Sequence, residues 1–204
     1  MDEIRIQNRV ELSGVLAGKP TFSHESRRQR FFSFPLEVSR LSGVLDRINI
    51  LAREELLQSL EVEEAEMLRV TGELRSFNNR TGLGSRLVIA VFARELQTIS
   101  GGEWQNAVEL SGTLCKTPNL RTTPMGREIC DLMLAVNRHY GRSDYLPCIT
   151  WGIKAREASL WEVGTRIRLT GRIQSRTYIK NIEGESAEKT AFEVSVVDIW
   201  EQEE

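Results

Sequence analysis

Val10-Glu-Leu-Ser-Gly14 returns, 98 residues later, as Val108-Glu-Leu-Ser-Gly112. The pentapeptide alternates apolar and polar residues, the period of a strand with one buried face. It closes on a glycine, where a strand bends or bulges. Two further matches follow in order. Leu36-Glu-Val-Ser-Arg40 pairs with Leu134-Ala-Val-Asn-Arg138 at the same offset. Leu68-Arg-Val-Thr-Gly-Glu-Leu-Arg-Ser76 pairs with Ile167-Arg-Leu-Thr-Gly-Arg-Ile-Gln-Ser175, one residue further on. This spacing is too long for a solenoid repeat and indicates tandem copies of one domain. The copies are expected over residues 1–100 and 104–204, joined near Ser100-Gly-Gly-Glu103, where two glycines interrupt the pattern.

Each copy reads mainly as strand. In the second, Lys116 to Gly126 is rich in turn residues and predicts a hairpin loop. Glu128 to Arg138 and Leu146 to Trp151 predict the second and third strands. Lys154 to Glu162 predicts a short helix, which Gly164 stops. Arg166 to Arg176 and Ala191 to Trp200 complete the set. The first copy follows the same order, with a longer acidic helix expected around Glu54 to Met67. Three strands, a short helix and two strands is the order of an OB fold, a five-stranded Greek-key barrel. The fold class is therefore all-β, two tandem OB barrels with a helix between strands 3 and 4 of each. Gly14, Gly72, Gly112 and Gly171 would let strands coil around so narrow a core.

The chain has 204 residues and a net charge of -2, which excludes a globally basic nucleic-acid binder but not a local basic groove. No apolar run reaches membrane-span length, and the charged start lacks the apolar stretch of a signal peptide. Cys115, Cys130 and Cys148 are odd in number and lack CxxC spacing, so buried thiols in a reducing compartment are expected. These features predict a cytoplasmic protein with no membrane partner. His24 and His139 occupy non-equivalent places and make no metal or nucleophile spacing. The glutamates of Glu54 to Glu66 read as a solvated helix face. No phosphate-cradling glycine loop is present. A non-enzyme with no metal and no cofactor is expected.

The informative pattern combines rings and cations. The second copy carries Arg138-His-Tyr-Gly-Arg-Ser-Asp-Tyr145, then Trp151, Lys154 and Arg172, then Arg176-Thr-Tyr-Ile-Lys180. Tyr140, Tyr145 and Tyr178 lie in polar, turn-like surroundings, which suits stacking with the bases of a single strand while cations hold its backbone. Trp151 sits in an apolar strand and is ambiguous. Trp104, Trp161 and Trp200 are expected to pack in a core or between elements. Arg138, Arg142, Lys154, Arg172, Arg176 and Lys180 are the phosphate candidates. In the first copy, His24-Glu-Ser-Arg-Arg-Gln-Arg-Phe-Phe-Ser-Phe34 offers Arg27, Arg28 and Arg30. The alternation of Phe32 and Phe34 against Phe31 suggests core packing for some of its rings.

The second copy resembles the bacterial single-stranded DNA-binding proteins. Asn106-Ala-Val-Glu-Leu-Ser-Gly112 resembles the family's first strand. Thr122-Thr-Pro-Met-Gly-Arg-Glu128 resembles the start of its second strand and Leu134-Ala-Val-Asn-Arg138 that strand's end. Ile149-Thr-Trp-Gly152 and Gly164 through Arg176 resemble two later family motifs. The resemblance implies an OB barrel that coats single-stranded DNA in replication, repair and recombination. It implies stacking by Tyr140, Tyr145, Trp151 and Tyr178, with Phe77 the aromatic retained near the Tyr178 position of the first copy. The counterparts of Tyr140 and Tyr145 are expected near Leu41 to Leu45, without rings. Four barrels per assembly would make a tandem chain a homodimer. The family's acidic recruiting tail is expected to be absent, since the last predicted strand is followed only by Glu201-Gln-Glu-Glu204. An alternative expectation is an OB-fold interaction module, such as an accessory primosome or recombination factor, with weak or no DNA binding.

Overall fold

A computed structural model describes residues 8–60, 66–78, 87–138, 141–182 and 185–202, with the side chains of 178–189 outside the description. The first copy contains β1 (Asn8–Leu16), β2 (Thr21–Ser26), β3 (Gln29–Ser39), β4 (Leu45–Arg53), α1 (Glu54–Gln58), β5 (Met67–Asn78) and β6 (Leu87–Thr98). The second contains β7 (Gln105–Leu114), β8 (Asn119–Thr122), β9 (Glu128–Asn137), β10 (Ser143–Trp151), α2 (Ile153–Ala158), β11 (Arg166–Ile182) and β12 (Glu185–Glu201).

In the first barrel β1 pairs antiparallel with both β3 and β5, and the ring runs β1-β3-β4-β6-β5. The β4–β6 contact is parallel, with Ile50 opposite Val91. The second barrel repeats this as β7-β9-β10-β12-β11, with β10 and β12 parallel and Cys148 opposite Val194. Both are closed OB barrels. Alternating residues fill them: Leu12, Leu36, Ile48, Ile50 and Val70 in the first, Leu110, Leu134, Leu146, Leu169 and Ile173 in the second, all at most 2% exposed. Closure removes sheet edges and leaves the outward positions for other work.

Two sequence expectations are corrected. Among the described residues each copy keeps its five barrel strands and adds a sixth, because the turn-rich stretch before the second barrel strand is itself paired. In the second copy β8 lies antiparallel on β9, Leu120 opposite Cys130, and Arg121 Nε holds Asp131 Oδ2 at 2.5 Å. In the first, β2 pairs with β3. The acidic helix is also shorter. It covers Glu54–Gln58, residues 61–65 lie outside the described part, and Met67 already opens β5. Glu54 and Glu55 favour the helix N-terminus, and Ser59 Oγ donates to Leu56 O (3.0 Å) at its end.

The glycines of the repeated pentapeptide stand where strands cross. A Cβ on Gly112 would lie 2.4 Å from Ala135 O, and one on Gly14 would lie 2.3 Å from Glu37 O. Those neighbours are backbone and cannot swing away. Gly112→Ala is therefore expected to lower unfolding free energy by about 1–3 kcal/mol, measured by urea denaturation. A loss indistinguishable from zero would refute the crowding argument.

Compactness divides the chain into two units. One comprises Arg9–Arg75 and Ile89–Ala107. The other holds Asn8 and the described parts of Ser76–Val88 and Val108–Glu204. Gly101 (φ 78°) and Gly102 (φ 156°) lie between β6 and β7. The first residues of β7 nevertheless cluster with the first barrel, where Gln105 Nε2 donates to Glu11 Oε2 (2.9 Å). The end of β5 clusters with the second. Among the described residues no helix is long and apolar enough to cross a membrane.

Candidate nucleic-acid interface

The outward positions of β10 carry exposed rings. Asp144, Leu146 and Cys148 face in, while Tyr145 and Trp151 face out, 51% and 41% exposed. Pairing with β9 sets Tyr145 opposite Ala135 and Trp151 opposite Ile129. Six residues of strand separate the two rings by roughly 20 Å. They mark two points along a path rather than one pocket, which suits an extended ligand.

A third ring joins Tyr145 from the end of β5. Ser76 N–H donates to Asp144 Oδ1 (2.7 Å), and Tyr145 N–H donates to Ser76 Oγ (2.8 Å). Arg138 Nη2 donates to Ser76 O (3.1 Å), and its guanidinium carbon lies 5.7 Å from the centre of the Phe77 ring. Phe77 is 39% exposed. Two exposed rings, one from each sequence copy, thus flank a single ion pair.

That ion pair corrects the reading of Arg138. Its Nε donates to Asp144 Oδ2 (2.7 Å) and its Nη2 to Oδ1, a forked geometry against a fully buried carboxylate. The first barrel has the same device, Arg40 Nε to Asp46 Oδ2 at 2.7 Å and Nη2 to Oδ1 at 2.6 Å. Both arginines also close their hairpin turn through the backbone, Arg40 N–H to Val44 O and Arg138 N–H to Arg142 O. Arg138 therefore holds the turn beneath Tyr145 instead of reaching outward. An arginine followed six residues later by aspartate occurs in both copies, so the pair was visible in the sequence.

The other cations are dispersed. Lys154, on α2, bonds Val197 O and Asp198 Oδ1. Arg176 lies 3.8 Å from Glu193. Arg142 and Arg172 are exposed and have no ion-pair partner among the described residues. Arg27 and Arg28 form the tip between β2 and β3, both at positive φ (50° and 62°). Arg30 sits 5.4 Å from the centres of both Phe22 and Phe32 and bonds Glu54 at 2.6 Å. Tyr140 lies outside the described residues. Tyr178 and Lys180 are placed only by their backbone, on β11 opposite Lys189 and Ala187.

Strand register also corrects the counterparts in the first copy. Arg47 stands opposite Glu37 on β3, and Arg53 opposite Phe31. They occupy the positions that Tyr145 and Trp151 hold on β10, two residues beyond the Leu41–Leu45 stretch expected for Tyr145. Among the other aromatics, Phe31 and Phe34 are buried and Phe32 is half-buried. Trp161 is half-buried. Trp104 and Trp200 are 44% and 49% exposed, against the expectation of packing. Trp200 faces an open depression with Glu109, Arg168, Thr170 and Gln202.

The surroundings of Cys115, Cys130 and Cys148 disfavour a thiolate at each. Burial pushes all three thiols above their ordinary value, Cys148 furthest. Among the described residues no three His, Cys, Asp or Glu side chains gather where a metal could bind.

Fold and surface together define a tandem OB-barrel protein with rings and cations on its outer strands. The family model described as the single-strand binding protein family matches residues 105–200. Single-stranded DNA-binding protein B of Bacillus subtilis is 37% identical over 86 residues, covering 39% of this chain and 75% of that protein. Single-stranded DNA-binding protein A of the same organism is 33% identical over 103 residues, covering 47% and 59%. This chain belongs to the single-strand binding protein family. The matches to relatives span between about half and three quarters of those proteins' length. The wild-type single-stranded DNA-binding protein from Thermus aquaticus superposes with a TM-score of 0.78 at 21% identity, over 97% of this chain and 93% of that one. That likeness extends the shared fold across both copies.

Proposed function

We propose that this chain binds and protects single-stranded DNA, with little sequence preference, in replication, repair or recombination. The observation that carries the reading is the exposed pair Tyr145 and Phe77, fixed around the Arg138–Asp144 ion pair. Exposed rings accept any base, because every base has a π face. Trp151 provides the next stacking point, with Tyr140 and Tyr178 completing the set. Arg142, Arg172, Arg176, Lys180, Arg27, Arg28 and Arg30 meet the backbone, while Arg138 and Lys154 act mainly by positioning. No catalytic step is assigned.

The working division is a first OB domain over 1–100 and a second over 104–204, and the chain acts as a homodimer presenting four barrels. Titration of the full chain with labelled oligothymidylate at low salt should give saturable binding, weakened as salt rises from about 50 to 200 mM. Light scattering on the same sample should give the mass of two chains. No binding at low salt refutes the DNA reading, and a one-chain mass refutes the dimer.

A further inference from the structure

The outward face of α2 is apolar and, among the described residues, uncovered. Ala155 and Ala158 bury the opposite side of the helix, which packs against β9 and β10. A residue seven places further on returns to the same helix face, about 10 Å along the axis. Ile153 and Leu160 stand in that relation. Helical bonding continues past the end of α2 to reach Leu160: Ser159 N–H donates to Ala155 O (3.1 Å) and Leu160 N–H to Glu157 O (3.1 Å). Ile153 is 75% exposed and Leu160 83%, and Val163, just beyond, is 56% exposed. Single exposed aliphatics are ordinary on a protein surface, but several on one face mark an interaction site.

The fold does not demand this display. In the first copy α1 occupies the same place in the element order, and its Leu56 and Leu57 are half-buried. The exposure belongs to the sequence of the second copy, not to the OB barrel as such.

Charge around the patch selects what can cover it. Between Ile153 and Val163 the charged residues are Lys154, Arg156, Glu157 and Glu162. Both cations are engaged: Lys154 bonds Val197 O and Asp198 Oδ1, and Arg156 Nε holds Glu128 Oε2 at 2.5 Å. Glu157 and Glu162 are exposed and have no ion-pair partner among the described residues. An apolar centre with a negative rim repels a phosphate backbone or an anionic lipid surface. It complements a protein segment whose aliphatic residues are flanked by lysine or arginine, because interfaces join apolar cores and set opposite charges against each other at the rim.

We propose that the α2 face, formed by Ile153, Leu160 and Val163 and rimmed by Glu157 and Glu162, is a docking site for a basic, amphipathic segment of a partner protein. The site uses none of the stacking residues and does not depend on the DNA-binding reading.

The test uses the full chain and two fluorescent synthetic peptides. One is built of leucine and lysine in an amphipathic helical pattern, and the other has glutamate for every lysine. In anisotropy titrations the wild-type chain should bind the lysine peptide at least about 10-fold more tightly than the glutamate peptide. Leu160→Asp should weaken the lysine peptide by about 10-fold or more, the loss of one buried leucine. That variant adds negative charge, so a mere attraction between net charges would tighten binding instead. Glu157→Lys/Glu162→Lys should abolish the preference for the lysine peptide. Affinity for oligothymidylate and the mass by light scattering should be unchanged in Leu160→Asp. Equal binding of the two peptides, binding of neither, or lysine-peptide binding retained in Leu160→Asp overturns the proposal. A halved mass for that variant also overturns it, by showing that the face joins two copies of the chain. So does a matching loss of oligothymidylate affinity, which would assign the face to the DNA path.

Discussion

Tyr145→Ala is expected to weaken binding to single-stranded DNA by about 5- to 150-fold, the loss of one stacked base at roughly 1–3 kcal/mol. The ring is half exposed, and the residue is held to Ser76 through its backbone N–H. Truncation therefore removes a stacking surface and leaves the fold intact. Tyr145→Phe keeps the ring and should bind within a few fold of wild type. Equal losses for the two variants would show that the hydroxyl, not the π face, meets the DNA. Fluorescence anisotropy with an oligothymidylate measures both, and circular dichroism checks that the fold is unchanged.

Asp144→Ala is expected to destabilise the second unit by about 3–5 kcal/mol, the range for breaking a buried ion pair from one side. Its carboxylate is fully buried, while the Arg138 side chain retains 21% exposure, which places the effect toward the lower end. The substitution strands the Arg138 guanidinium and leaves the Ser76 N–H without its acceptor. Asp46→Ala should cause a comparable loss in the first unit, because Arg40 holds it in the same fork. Urea unfolding should show each variant lowering a different transition. Replacing both partners, Arg138→Met with Asp144→Leu, should recover part of the stability, since no orphaned charge remains. A loss below about 1 kcal/mol for Asp144→Ala would contradict the assigned role.

Much of the fold was legible because barrel strands write their period into the chain. Val10, Leu12 and Leu16, and again Val108, Leu110 and Leu114, alternate as the buried face requires. What escaped was pairing decided by distant partners. Asn119–Thr122 has the composition of a loop and becomes a strand only because β9 offers an edge and Asp131 a counter-charge. Arg138 stands beside a basic, ring-bearing turn and so read as a phosphate ligand, although the spacing to Asp144 repeats that of Arg40 to Asp46. The exposure of Tyr145 was legible from its polar neighbours. Arg47 and Arg53 were not, since their equivalence to Tyr145 and Trp151 appears only in strand register. Phe92 meets Arg53 through the parallel β4–β6 pairing, which no local pattern announces.

The hydrogen bonds of Ser76 bear on how such a chain evolves. Ser76 belongs by descent to the first copy, and Ser175 is its sequence counterpart in the second. Yet Ser76 donates to Asp144 and braces Tyr145. A gene split at Gly101–Gly102 would give a C-terminal product lacking that donor, with the exposed Tyr145 deprived of a brace. The duplication has become entrenched. Each copy is now free to drift in what it displays, but fission back to single barrels is penalised.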